Sequence, residues 1–380
     1  MPQGEPGSSI FIFDPCAWQS ASTFYLECAM LVSVQYARAL AALLVVLAHL
    51  SGFSAFQPLT TSSFGSFGVD MFFVISGFIM WETTKDQRPM DFMCRRIARI
   101  VPPYWFYTTL LVLLAVMSPR LAPNIQLSWE ATLGSYFFIP YTDHRGIRNP
   151  ILLQGWTLNF EMYFYIIFAA SLILAHRATR FFAIIGLLLI SALIGLSLDK
   201  PPAIVSMITS TVLLEFALGM VLSIAWRRRK PGMAAALPII VIGFGCLILA
   251  ELRQPPDDLR LLFFGIPSAL FLFGLLGTED FLSRKPLRPF VAAGDASYSL
   301  YLAHPFVLSA VHIIVNGPIR TMLNIDGIAL ALLYGALAIS ACLIFSHASF
   351  LFLEKASARF VLKCLTGGKK DIARVRVTAT

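Results

Sequence analysis

Residues 31–53 read LVSVQYARALAALLVVLAHLSGF, an apolar run interrupted by Arg38 and His49 and by no other charged side chain. The run is long enough to cross a hydrocarbon core of about 30 Å as a single α-helix. The two ionisable groups have ten residues between them. That spacing is three helical turns plus about 20°, which puts both on one face and roughly 16 Å apart along the axis. Such a pair is costly in a membrane helix unless it faces a polar cavity, so it marks a functional-site hypothesis.

The rest of the chain reads the same way. Its 380 residues are 57% hydrophobic and 13% charged, and a mean hydropathy of +0.75 excludes an ordinary soluble globular domain. The expected fold class is an all-α, polytopic integral membrane protein with about ten transmembrane helices. The apolar runs are 31–53, 64–81, 101–117, 155–174, 181–198, 203–226, 233–250, 261–277, 298–315 and 328–353. Lys and Arg crowd alternate loops and the C-terminal tail, 21 of them against 7 in the intervening loops, which predicts both termini cytoplasmic. Residues 1–30 lack Lys and Arg, match neither a signal peptide nor a span, and are expected to be a disordered or misassigned extension ahead of Met30. Residues 31–355 then form the transmembrane domain, and 356–380 form a basic cytoplasmic tail.

The net charge of +8 reports orientation in the membrane, and no basic nucleic-acid motif accompanies it. Cysteines at 16, 28, 94, 246, 342 and 364 show no paired or metal-type spacing and read as structural. With no CxxC, HExxH or GxxxxGK motif, metal hydrolysis and direct nucleotide hydrolysis lack support.

Chemistry-bearing residues concentrate in four further stretches. FGVDMFFVISGFIMW (67–81) carries Asp70 at about the depth of His49, where a carboxylate could orient the imidazole and stabilise its cation, as a general base requires. A buried structural histidine beside an interfacial aspartate is the plainer alternative. RRIARIVPPYW (95–105) carries Arg96 and Arg99, three apart and on one helical face, suited to a phosphate but equally explained as topology charges. GWTLNFEMYFY (155–165) places Glu161 about two turns into an aromatic helix behind Trp156. GDASYSLYLAHPF (294–306) carries Tyr298, Tyr301 and His304, with packing and a kink at Pro305 as the competing role. Glu215, in the sixth run, is a second intramembrane acid for which a structural ion pair competes with a place in the pocket.

Taken together, VQYARALAALLVVLAHL and these four stretches resemble acyltransferase family 3, and within it the stand-alone exopolysaccharide O-acetyltransferases, over about residues 32–355. The resemblance implies an O-acyltransferase of the bacterial inner membrane with no tightly bound cofactor. It would move an acyl group, usually acetyl from acetyl-CoA, to a carbohydrate hydroxyl. It implies functional positions at Arg38, His49, Arg96 and Arg99. The expected division has Arg38, Arg96 and Arg99 binding the donor and His49 with Asp70 performing catalysis. Trp156, Glu161, Glu215, Tyr298, Tyr301 and His304 are acceptor or pocket candidates, and the Asp143, His144, Arg145 stretch of an outer loop is a candidate acceptor contact. Expected partners are acyl-CoA, a polysaccharide or lipid-linked oligosaccharide, the bilayer and polysaccharide-synthesis machinery. A glycolipid or small-anion transporter is the rival reading, because buried charges could also bind cargo.

Overall fold

The structure is a computed structural model that describes residues 31–60, 64–85, 87–121, 125, 127–142 and 149–365. The extension before residue 31, the chain after 365 and the Asp143, His144, Arg145 stretch lie outside the described residues. The first half of the chain forms α1 (Val32–Leu50), α2 (Gly68–Thr83), α3 (Pro89–Met117), α4 (Trp129–Tyr136), α5 (Gly155–Ser171) and α6 (Arg177–Leu196). The second half forms α7 (Ala203–Ile208), α8 (Leu213–Arg228), α9 (Met233–Arg253), α10 (Ile266–Gly277), α11 (Glu279–Leu282) and α12 (Arg288–Asp295). It ends with α13 (Ser297–Ile314), α14 (Arg320–Leu323), α15 (Gly327–Ser349) and α16 (Lys355–Leu365). Three π-helical turns, Leu261–Gly265, Val315–Ile319 and Phe350–Glu354, lead into α10, join α13 to α14 and join α15 to α16.

Each of the ten apolar runs falls on helix, but among the described residues seven helical stretches are long and apolar enough to cross a membrane. The shorter ones are α2 with 16 residues, α5 with 17, and the apolar stretch Leu261–Gly277. Two expected boundaries change. The third run starts at Pro89 rather than 101, because α3 continues through Pro102 and Pro103. A neighbouring helix contacts that turn, where the Tyr298 hydroxyl donates to the Ile100 carbonyl at 2.8 Å. The sixth run is broken between α7 and α8. The turn Phe350–Glu354 carries α15 directly into α16, which packs against α3.

Burial separates inner from outer helices. In α1, 67% of the apolar window is buried, against 17% in α6 and 22% in α9. The central helix is therefore the one that carries Arg38 and His49. Around it, α2 and α8 approach closely through two glycines: a Cβ on Gly77 would sit 2.0 Å from the Phe216 carbonyl oxygen, and one on Gly219 2.1 Å from that of Val74. Small residues at such crossings let backbones meet where water provides no driving force for association. That contact sets the height and rotation of α2, and with it the position of Asp70.

Candidate active site

Three cavities line up along α1 and share walls. The first, of about 280 Å³, meets α1 at Gln35 and Arg38 and is lined also by Arg95, Arg96, Arg99 and Lys355. The second is a neck of about 90 Å³ that shares Arg38, Arg96 and Arg99 with the first. The third, a chamber of about 430 Å³, meets α1 at Val45, Ala48 and His49 and the turn just after it at Ser51 and Gly52, and shares Val69 and Tyr301 with the neck.

In the basic cavity, α3 supplies Arg95, Arg96 and Arg99 from consecutive turns. The Arg96 guanidinium lies over the rings of Phe92 and Tyr165, at 5.3 and 5.5 Å from their centroids. Such cation–π contacts hold its plane without neutralising its charge. Arg38, 7% exposed, donates to Ser297 Oγ at 2.9 Å and contacts Gln35, whose amide donates to Asp295 at 2.8 Å. Burial pushes the Asp295 carboxyl above its ordinary range, and Arg38, Arg99 and Lys355 pull it back. Glu354 accepts from Ser299 Oγ at 2.7 Å and pairs with Arg99 at 3.6 Å. The π turn ending at Glu354 inserts an extra residue into the helix and brings that carboxylate and Lys355 to the cavity wall together.

The neck mixes rings and hydroxyls. Glu161 accepts hydrogen bonds from the Tyr165 hydroxyl and from Ser76 Oγ, the latter at 2.9 Å. Tyr301 and Thr157 share a hydrogen bond of 2.8 Å, and Tyr298 is tied to Ile100. Narrow, half-apolar and lined with hydroxyls, this section suits a slender amphipathic chain.

His49 lies in the wide chamber with Trp156, Gln154, Arg260 and Tyr301. Its Nδ1 is 2.8 Å from the Val45 carbonyl oxygen one turn earlier. A carbonyl only accepts, so Nδ1 carries the proton and Nε2 is left with the lone pair a general base uses. His304, fully buried, is held in the same manner by Leu300 at 3.2 Å and stands edge-on to His49, ring centroids 4.7 Å apart. Trp156 sits against Phe73 and Phe160, presenting an aromatic wall.

Two expectations need correction. Asp70 does not meet the His49 ring. It is fully buried in the first turn of α2 and receives two hydrogen bonds from Arg260, Nε to Oδ1 at 2.7 Å and Nη2 to Oδ2 at 2.9 Å. The histidine takes its orientation from the α1 backbone instead. Glu215 does not line any of the three cavities: it is fully buried behind the Asp70–Arg260 pair, against Gly265. The structure brings Arg38, Arg96 and Arg99 together at one end, Glu161, Tyr298 and Tyr301 in the neck, and His49, Trp156 and His304 at the other end.

Sequence reasoning passed over Arg260 and Lys355. Arg260 reads as one of the sparse loop charges, 190 residues from Asp70, and Lys355 reads as part of the basic tail. The π turns beside each would have been the only hint, and no sequence pattern announces them.

The profile of acyltransferase family 3, described as an acyltransferase domain, matches residues 31–347. The chain is similar to the exopolysaccharide production protein ExoZ of Rhizobium meliloti (strain 1021), 38% identical over 253 residues, covering 65% of this chain and 78% of that one. It is also similar to the peptidoglycan O-acetyltransferase OatA of Listeria monocytogenes, 26% identical, covering 72% of this chain and 48% of that protein. The acyltransferase MdmB of Streptomyces mycarofaciens is 24% identical over 67% of this chain and 71% of its own length. No solved structure matches. The matched span contains α1, α2, α3, α5 and α13, the helices that carry the arginines, the neck and the histidine chamber; the chain is a multi-pass membrane protein belonging to acyltransferase family 3.

Proposed function

We propose that this protein transfers an acyl group, acetyl in the first instance, from acyl-CoA to a hydroxyl of an exopolysaccharide or its lipid-linked precursor. The observation that carries the reading is the row of cavities along α1, with an arginine cluster at one end and His49 at the other. The roughly 16 Å between Arg38 and His49 along the helix is comparable to the reach from the phosphates of an extended CoA to its thioester. Arg38, Arg96 and Arg99 hold the donor phosphates, the pantetheine arm runs through the neck past Glu161 and Tyr298, and the thioester enters the histidine chamber. There Nε2 of His49 removes the proton from the acceptor hydroxyl as its oxygen attacks, and Trp156 provides a stacking wall for the sugar. Family membership and the similarity to an exopolysaccharide production protein support this acceptor class.

In the bacterial inner membrane, with ten spans and both ends of the chain cytoplasmic, the basic cavity opens to the compartment that holds acyl-CoA. The same cavities could serve a transporter of glycolipid or small anions, and one experiment separates the two. Purified protein in detergent, given radiolabelled acetyl-CoA and a de-acetylated polysaccharide, should release CoA and form an alkali-labile ester on the glycan. A transporter needs a sealed membrane to show anything. Absence of ester across a panel of polysaccharides and lipid-linked oligosaccharides, with a folded preparation that binds CoA, would overturn the reading.

A further inference from the structure

Arg260 is held from several sides. Its fork meets both oxygens of the buried Asp70 carboxylate, at 2.7 and 2.9 Å, and its guanidinium lies 5.6 Å from the centroid of the Phe264 ring. Asp70 is itself favoured by the amides at the start of α2. Glu215 backs the pair from α8, and the π turn Leu261–Gly265 begins at the next residue. Three buried carboxylates near one arginine, Asp70, Glu215 and Glu251, among apolar helices, are an expensive way to fasten a loop, since well-packed apolar residues do that at no electrostatic cost. The arrangement differs from a plain ion pair in one respect. Arg260, with 21% of its side chain exposed, lines the chamber that contains His49.

We infer that Arg260 is a catalytic residue, stabilising the negative charge that develops on the thioester carbonyl oxygen, and that Asp70 is its positioning residue. This rests on the acyl-transfer reading above. In the step, the acceptor oxygen forms a bond to the carbonyl carbon while its proton passes to His49 Nε2, and the carbonyl π electrons move to oxygen. On collapse the C–S bond breaks, the CoA thiolate leaves and recovers the proton from His49, and the ester remains on the sugar. As the proton passes to the imidazole and the π electrons to oxygen, the chamber gains opposite charges together, one on His49 and one on the carbonyl oxygen. A cation fixed in advance responds to the second without reorganising. Arginine suits the role better than lysine because its rigid fork can be clamped along one edge while its charge is spread over the whole plane.

The test uses the full-length purified protein with acetyl-CoA and its acceptor, and CoA binding by calorimetry. Removing one oxyanion donor in other acyl-transfer enzymes costs about 10²–10³-fold in turnover. Arg260→Lys should therefore lower kcat by about 10²-fold, with the donor KM and CoA affinity unchanged. The charge-balanced double variant Asp70→Asn with Arg260→Gln, which strands no ion at that pair, should lose as much. A dithioester analogue of acetyl-CoA, with sulfur in place of the carbonyl oxygen, should slow the native protein more than it slows either variant. Either variant, folded and turning over within about threefold of the native protein, would reduce Arg260 to a structural ion pair; if the double variant fails to fold, Arg260→Lys decides alone. The acyl-transfer reading itself falls on a different result, a native protein that binds CoA and makes no ester.

Discussion

The basic cavity and the histidine chamber carry charge on opposite terms. Five cationic side chains line the first against two carboxylates, Asp295 and Glu354, so positive charge is in surplus. At the chamber, Arg260 is paired fork to fork with Asp70, and His49 and the neighbouring His304 are each tied by Nδ1 to a carbonyl one turn back. A surplus suits a ligand that arrives already anionic and leaves still anionic. A balanced, rigid set suits charge that exists only while bonds change, because groups oriented beforehand need not move when it appears. The difference predicts that substitutions at the first end act on donor binding and those at the second on turnover.

The largest effect belongs to the chamber. His49→Ala should depress kcat by at least about 100-fold, the usual scale of a general base, while calorimetric CoA affinity stays within about twofold. Steady-state rates at saturating donor check this, and a variant that keeps its turnover removes His49 from the chemistry. Next comes the basic cavity. Arg96→Gln combined with Arg99→Gln should raise the donor KM about 10- to 100-fold, given about 1.5–3 kcal/mol for a hydrogen bond to a charged group and some screening by solvent. The remaining donor binding should also depend less on salt. An unchanged donor constant in an active double variant would make these arginines topology charges only, and the comparison of the two ends would collapse.

Lys355 gives a finer division within the basic end. Lys355→Gln should raise the donor KM by about three- to tenfold and leave kcat alone, with the same substitution at Lys363, exposed about two turns further along α16 and outside the cavity lining, as the matched control. Equal behaviour of the two variants would take Lys355 out of the site. The smallest effect is a pH dependence. Burial raises the Asp295 carboxyl from its reference value of 3.8. It is therefore neutral at low pH and becomes an anion beside Arg38 as pH rises through that elevated value, so donor affinity should weaken across that window. Asp295→Asn should flatten this component of the donor KM profile, and superimposable profiles would show that Asp295 does not titrate against the ligand.

Much of the candidate site is legible in the chain, and the gaps have definite causes. Arg38 and His49 stand out because an isolated apolar helix leaves their charges conspicuous, and their separation follows from helical rise alone. Arg96 and Arg99 are visible as a cluster, yet the same cluster would serve as a topology signal, and only their shared cavity with Arg38 separates the roles. Depth alone pairs Asp70 with His49. Depth fixes height along the bundle but not direction around it, and the carboxylate faces Arg260 across to the loop before α10. Glu215 misled for the same reason, since an acid in mid-helix can face a cavity or a neighbouring ion pair with no change in sequence pattern.

The amino-acid sequence alone determines that the chain is helical and built for a bilayer, where the apolar runs lie, and which few residues are too polar to face lipid. Those properties are one-dimensional: hydropathy and charge act residue by residue along the helix axis. Tertiary structure decides which helices are inside. Hydropathy points the wrong way here, because α9 is more apolar than α1 and yet is far less buried. In a bilayer the lipid tails are as apolar as the core, so burial follows close backbone approach and polar pairing, as at Gly77 and Gly219 or between Asp70 and Arg260. The rotation of each helix about its axis, and with it the partner of every buried charge, comes from those contacts.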